Sequence, residues 1–263
     1  MNFKDKVVII TGASSGIGYA LVYEFASHGA KIALGARSEG KLARIAEDLE
    51  TRGTEAVYEA TDVTREADCR RLIERTVERF GRIDILICNA GISMRALFDD
   101  VDLDVLRQLM DVNFWGAVYC TKYALPYLQA SKGSIVGVSS VAGIHGLPGR
   151  TGYSASKYAM TGFMETIRIE NLKKGVHVMI AAPRFSALTA DGSVQGESPR
   201  EEEKMMSAAE VAHRIVRGIS RRKRTLLMEF NGRATMLIKK FAPGLLDKLY
   251  YNHMAKEPDS PFK

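Results

Sequence analysis

Thr11-Gly12-Ala13-Ser14-Ser15-Gly16-Ile17-Gly18 follows the apolar run Val7-Val8-Ile9-Ile10 directly and leads into a helical stripe marked by Ile17, Leu21 and Phe25. An unbroken apolar run bounded by a glycine turn reads as a strand buried on both faces. Glycine lets the backbone bend tightly and come close to a ligand, and the positive end of the following helix attracts an anion such as a pyrophosphate. The spacing is Gly-x-x-x-Gly-x-Gly rather than Gly-x-Gly-x-x-Gly. Its place between strand and helix points to nucleotide binding through Gly12, Ser14, Ser15, Gly16, Ile17 and Gly18, with a plain tight turn as the alternative.

Outward from that turn, apolar runs alternate with helical periodicity along all 263 residues. Further strands are predicted at Lys31–Gly35, Ala56–Glu59, Ile83–Cys88, Ser134–Ser139, Val176–Ala181 and Thr225–Phe230. Between them, Leu42, Ile45 and Leu49 mark one amphipathic helix and Leu72, Thr76 and Phe80 another. A long helix is predicted over Leu103–Leu128, with Pro126 stopping or kinking it, and another starts near Tyr153. Ser207-Ala208-Ala209-Glu210 reads as a capping box. Strands alternating with helices imply a doubly wound, Rossmann-type α/β fold, a parallel sheet of about seven strands with helices on both faces. The absence of repeats or linker-like tracts favours a single domain over residues 1–263. The irregular stretch at about 184–207 has the length and composition of a substrate loop.

Two further clusters suggest chemistry. Tyr153 and Lys157 are four apart in a helical pattern, so they share a face. A fixed ammonium stabilises a phenolate and lowers the tyrosine pKa from about 10. A tyrosine so tuned can donate a proton to a carbonyl oxygen or take one from an alcohol. Ser140 lies thirteen residues upstream of Tyr153. At the end of the second strand stands Gly35-Ala36-Arg37-Ser38. An acid there would hydrogen-bond a ribose 2′-hydroxyl. Arg37 instead suits a 2′-phosphate, with Ser38 as a further donor, which favours NADP(H) over NAD(H).

The ordered set Thr11 to Gly18, Asp62-Val63, Asn89-Ala90-Gly91, Asn113, Ser140, Tyr153 and Lys157 resembles the short-chain dehydrogenase/reductase family from about residue 5 to residue 183. The resemblance implies that Tyr153 is the general acid or base and that Lys157 holds the nicotinamide ribose. Ser140 would bind the substrate oxygen and Asn113 would support a water-linked proton relay. A purely structural bond from Asn113 to a backbone carbonyl is the alternative. Asn89, Ala90 and Gly91 would line the cofactor, Asp62 and Val63 would meet the adenine, and Pro183 would lie beside the carboxamide. Ser139 competes with Ser140, but alternation along a strand points the two to opposite faces. The resemblance also implies a small carbonyl or alcohol substrate, hydrophobic or lipid-like, and a homodimer or homotetramer. Two departures stand out: Cys88 precedes Asn89 where the family has asparagine, and Arg184 follows Pro183 where it has glycine. An NAD-preferring alcohol dehydrogenase and a nucleotide-binding regulator without turnover are the competing readings.

A net charge of +6 suits anionic partners without indicating nucleic acid, for which there is no recognition motif. Histidines and cysteines are scattered with no metal-ligand spacing, and Cys69, Cys88 and Cys120 read as inert thiols of a reducing compartment. No run reaches the length of a membrane span and the first strand starts near Lys6, so a cytoplasmic location is expected. The segment at about 234–254 alternates apolar residues with Lys239, Lys240 and Lys248 around Pro243-Gly244. Two short helices are expected there, covering the substrate pocket or an interface, with weak peripheral membrane contact as an alternative. Tyr158 and Tyr123 read as packing residues, and Trp115 as core or interface.

Overall fold

Successive strand residues point to opposite faces of a sheet, so a run such as Val8-Ile9-Ile10 needs an apolar layer on each side. The computed structural model supplies both layers; it describes residues 1–183, 206–228, 232–256 and 262. Among these, β1 (Val7–Thr11), β2 (Lys31–Ala36), β3 (Ala56–Ala60), β4 (Ile85–Cys88), β5 (Ser134–Val138), β6 (His177–Ala182) and β7 (Thr225–Leu227) form one parallel sheet in the order β3-β2-β1-β4-β5-β6-β7. The described helices are α1 (Gly16–Ser27), α2 (Glu39–Thr51), α3 (Glu66–Phe80), α4 (Leu103–Met110), α5 (Gly116–Ser131), α6 (Thr151–Glu170), α7 (Ala208–Ser220), α8 (Gly232–Phe241) and α9 (Pro243–Ala255).

Val8 and Ile10 pack in a layer with Leu21 and Phe25 of α1, Leu42 of α2 and Ile215 of α7. Ile9 packs in the opposite layer with Leu72 of α3, Leu128 of α5 and Met164 of α6. The sheet is therefore covered on both faces, as its sequence pattern requires. Cys69, Cys88 and Cys120 are all free and buried in the second layer, and burial pushes the Cys88 thiol up to about 12.

Several boundaries move. The strand expected at Ile83–Cys88 begins at Ile85, and the one expected at Val176–Ala181 shifts by one residue. The last expected strand is described only as Thr225–Leu227; residues 229 and 230 lie outside the described residues. The single helix expected over Leu103–Leu128 is α4 and α5 joined through a π-helical turn, Asp111–Trp115. Pro126 does not end α5, which continues to Ser131. Ala124 and Leu128, both fully buried, hold the helix against the sheet on either side of the proline, and it closes at Lys132 in the left-handed region. Ser207 Oγ accepts from Glu210 N, as the capping box predicts. Pro243 opens α9, where its missing N–H needs no partner.

Candidate active site

In a parallel sheet every strand ends on the same side. The segments leaving β1, β2, β4 and β5 therefore converge over one edge. Gly12 and Gly16 have φ of +65° and +55°, in the left-handed region that favours glycine. A Cβ on Gly12 would lie 2.9 Å from Ala90 Cα. The loop is pinned to the exit of β4 by two residues. Asn89 Nδ2 donates to Thr11 O at 2.9 Å, and Thr11 Oγ1 accepts from Asn89 N and Ala90 N at 3.0 and 3.1 Å. Ser15 caps α1 with extended backbone, its hydroxyl makes no capping bond, and no acid occupies the first turn. The first amides of α1 thus face the loop with their positive dipole, a fit for the pyrophosphate of a dinucleotide flanked by Ser14, Ser15, Ile17 and Gly18.

Arg37 and Ser38 follow β2 and are exposed. Among the described residues Arg37 has no ion pair. Ser38 caps α2 without using its hydroxyl. Both can therefore meet a phosphate. Asp62 Oδ1 accepts from Thr64 N and Thr64 Oγ1 at 3.0 and 2.8 Å, shaping the turn after β3, and Val63 is buried against Gly116. Pro183 follows β6 and is buried. Arg184, and with it most of the expected substrate loop, lies outside the described residues.

The expected catalytic residues lie on three elements: Ser140 at the turn after β5, Asn113 in the π turn, and Tyr153 and Lys157 on α6. Ser140 leaves β5 and caps a short 3-10 turn, Val141–Gly143, accepting from Ala142 N at 3.2 Å. Ser139 points the other way: its hydroxyl meets Thr161 Oγ1 at 3.2 Å and Lys157 O at 3.4 Å. β5 ends at Val138, so both serines lie just past the strand, and their hydroxyls have different partners. Tyr153 is half-buried and packs against Ile92, Met94 and Leu109. Lys157 Nζ lies 5.7 Å from the Tyr153 ring centre and donates to Val138 O at 3.0 Å. Burial lowers the Lys157 pKa to about 8. A Cβ on Gly91 would come within 3.3 Å of Lys157 Nζ and 3.1 Å of Asn113 Oδ1, so glycine lets the β4 exit sit against both.

Asn113 is fully buried in the π turn. Its Oδ1 accepts from Ile92 N at 2.8 Å, and its Nδ2 donates to Ile92 O at 3.0 Å and Ser156 Oγ at 2.9 Å. The amide thus clamps the α4–α5 junction to the β4 exit and to α6, the structural role the sequence left open. Asn113→Leu would strand the Ile92 N–H and carbonyl in the interior. The expected loss is about 2–5 kcal/mol of unfolding free energy, read by urea denaturation.

Four residues at this edge were not singled out as site residues. Thr11 is the hub of the glycine-loop clamp. Ser156 completes the Asn113 network. Arg150, buried, donates to Ser93 Oγ and places its guanidinium carbon 6.0 Å from the Tyr153 ring centre. Lys239 of α8 donates to Ile144 O and to Tyr158 OH. Tyr158 is therefore more than the packing residue expected: its own hydroxyl also bonds Ile144 O. His145 lies against Tyr250 of α9, ring centres 4.4 Å apart and planes tilted by 34°. Burial first, and then Lys239, keep the His145 pKa below its usual value, against the opposing pull of Asp247. Leu237 and Phe241 on α8 and Leu245 and Leu249 on α9 are exposed, each pair four residues apart on its helix. Among the described residues no helix is long and apolar enough to cross a membrane.

A family model described as short chain dehydrogenase matches residues 6–196. The chain belongs to the short chain dehydrogenase family. Relatives of this short chain dehydrogenase include 11-beta-hydroxysteroid dehydrogenase 1A of Arabidopsis thaliana, 39 % identical over 94 % of this chain and 74 % of its own length. Another is 11-beta-hydroxysteroid dehydrogenase A of Arachis hypogaea, 38 % identical over 99 % of this chain and 78 % of its own. Among solved structures, an alcohol dehydrogenase from the archaeon Thermococcus sibiricus complexed with 5-hydroxy-NADP is 28 % identical, with a TM-score of 0.77 over 86 % of this chain and 96 % of that one. A short chain dehydrogenase/reductase from Burkholderia phymatum in complex with NAD is 25 % identical, with a TM-score of 0.80 over 93 % of this chain and 96 % of that one.

Proposed function

We propose that this short chain dehydrogenase is an NADP(H)-dependent oxidoreductase that interconverts a ketone or aldehyde and the corresponding alcohol. What supports the reading is Lys157 Nζ 5.7 Å from the Tyr153 ring centre on α6, with the turn that Ser140 caps packed against the same helix. The bound nicotinamide would supply or accept the hydride. Lys157, its ammonium near the Tyr153 ring, favours the phenolate and is placed to hold ribose hydroxyls. Tyr153 passes its phenolic proton to the substrate oxygen in reduction and takes it back in oxidation. Ser140 Oγ orients and polarises that oxygen. Asn113 keeps the β4 exit and α6 in register through its amide.

The substrate we expect is hydrophobic or lipid-like. The hydroxysteroid dehydrogenase names of the relatives add steroid alcohols and ketones to the classes worth testing. The assembly we expect is a homodimer or homotetramer through α5 and α6. Trp115, exposed and stacked on Tyr119, supports an α5 contact, and sedimentation velocity giving a monomer would remove it.

The test is NADPH oxidation over a panel of ketones, aldehydes and ketosteroids, with NADH alongside. Turnover with NADPH supports the reading. Cofactor binding without turnover on any compound favours a regulator. For the cofactor, Arg37→Ala is expected to raise the KM for NADPH by about 10- to 100-fold, the worth of a charge-assisted hydrogen bond, while the KM for NADH stays near wild type. Equal effects on both would overturn the assignment of Arg37 to the 2′-phosphate.

A further inference from the structure

We infer that Lys239 is a positioning residue for Ser140 and that, through it, the C-terminal helix pair is part of the catalytic unit. The inference rests on the function proposed above and names a residue that acts at the same site from outside it.

Ser140, Gly143, Ile144 and His145 form one hydrogen-bonded unit. Ser140 O accepts from Gly143 N at 3.0 Å, and Val141 O accepts from Ile144 N at 2.9 Å and His145 N at 3.0 Å. The far end of this turn is where α8 arrives. The Lys239 ammonium donates to Ile144 O and to Tyr158 OH, and it sits 4.8 Å from the centre of the Tyr158 ring. Tyr158 OH donates to the same Ile144 carbonyl. One cation therefore ties the end of the Ser140 turn to the residue next to Lys157 on α6. The adjoining contact, the His145 ring against Tyr250, brings α9 to the same turn. On its inner side the turn meets α6, where a Cβ on Gly143 would lie 2.8 Å from Lys157 O. The turn is thus held from α6 on one side and from α8 and α9 on the other. A charge-assisted hydrogen bond is about twice as strong as a neutral one, so Lys239 is the strongest of the outer ties. Releasing it frees the turn to shift, and a misplacement of about 1 Å at a reacting group lowers turnover by up to about 100-fold.

The experiment compares wild type with Lys239→Met, Lys239→Arg and Tyr158→Phe. Three quantities are read: kcat and KM for a turned-over ketone, the Kd for NADPH by fluorescence, and peptide-level hydrogen exchange over residues 139–146. In Lys239→Met we expect kcat to fall by about 10-fold with the NADPH Kd unchanged, and exchange over the turn to accelerate. Lys239→Arg should restore most of kcat, because guanidinium can reach both acceptors. Tyr158→Phe should give a smaller loss that does not add to that of Lys239→Met. Unchanged exchange over 139–146 in Lys239→Met would overturn the tie. Faster exchange with wild-type kcat would overturn the positioning role. A wild type that turns over no carbonyl compound would count against the proposed function, and the exchange measurement would still decide whether the tie exists.

Discussion

Tyr153→Phe is expected to lower kcat by about 1,000-fold, within the range of 10²–10⁴ typical for loss of a general acid or base, while NADPH binding changes little. The substitution removes one oxygen and keeps the ring that packs on Ile92, Met94 and Leu109. Fold and glycine loop are untouched, so stopped-flow hydride transfer would isolate the missing proton. Solvent isotope effects add a second check. Wild-type turnover should show one, and the residual turnover of the variant should not report a phenolic proton. A Tyr153→Phe protein that retains more than a tenth of wild-type kcat would move the acid–base role to another group.

Lys157→Met is expected to do two opposite things. Turnover falls by at least about 100-fold, because the cation beside Tyr153 is gone. The ligand-free protein becomes more stable. Burial has lowered the lysine pKa from 10.5 to about 8, which corresponds to about 3 kcal/mol against the charged form. Losing the bond to Val138 O returns about 1 kcal/mol of that, leaving a net gain of about 2 kcal/mol and a Tm higher by about 4 °C. The pH dependence separates this from ordinary repacking. Below about pH 8 both folded and unfolded wild type carry the proton and the penalty is complete. Between about 8 and 10.5 the folded protein releases it first and the penalty fades, so this group makes wild-type stability rise with pH across that window. Calorimetry across it should show the difference between variant and wild type shrinking. A difference that stays constant would mean that burial of the charge is not the cause.

Local order was what the sequence revealed. The run Val7–Thr11 gives β1 without error because it is short, β-branched and closed by a glycine turn, which favours a buried strand over a helix. Tyr153 and Lys157 were visible as a pair because four residues on a helix are neighbours, and both lie on α6. Alternation set Ser139 and Ser140 facing opposite ways, and the thirteen-residue spacing to Tyr153 favoured Ser140. The π turn at Asp111–Trp115 had no such signal. Asn113 sits there because of hydrogen bonds to Ile92, 21 residues away, and Ser156, 43 away. Periodicity sees neither. Pro126 shows the reverse failure: a strong local breaker was overruled by the buried residues flanking it. Thr11 was in view as the start of the glycine motif, but its role depends on Asn89, 78 residues on. Lys239 looked like one lysine in an amphipathic tail, and only the fold puts it on the Ser140 turn.

The link from Lys239 to Ile144 spans 95 positions and joins the turn to a segment made much later. A ribosome delivers the N-terminus first. The clamp between Thr11 and Asn89 can close once the first four strands have emerged, well before α8 exists. A nascent chain would then pass through a stage with an assembled nucleotide loop and a Ser140 turn not yet fastened from outside. Full turnover would come late in synthesis, and a fragment cut short before Lys239 would keep its nucleotide loop while working more slowly.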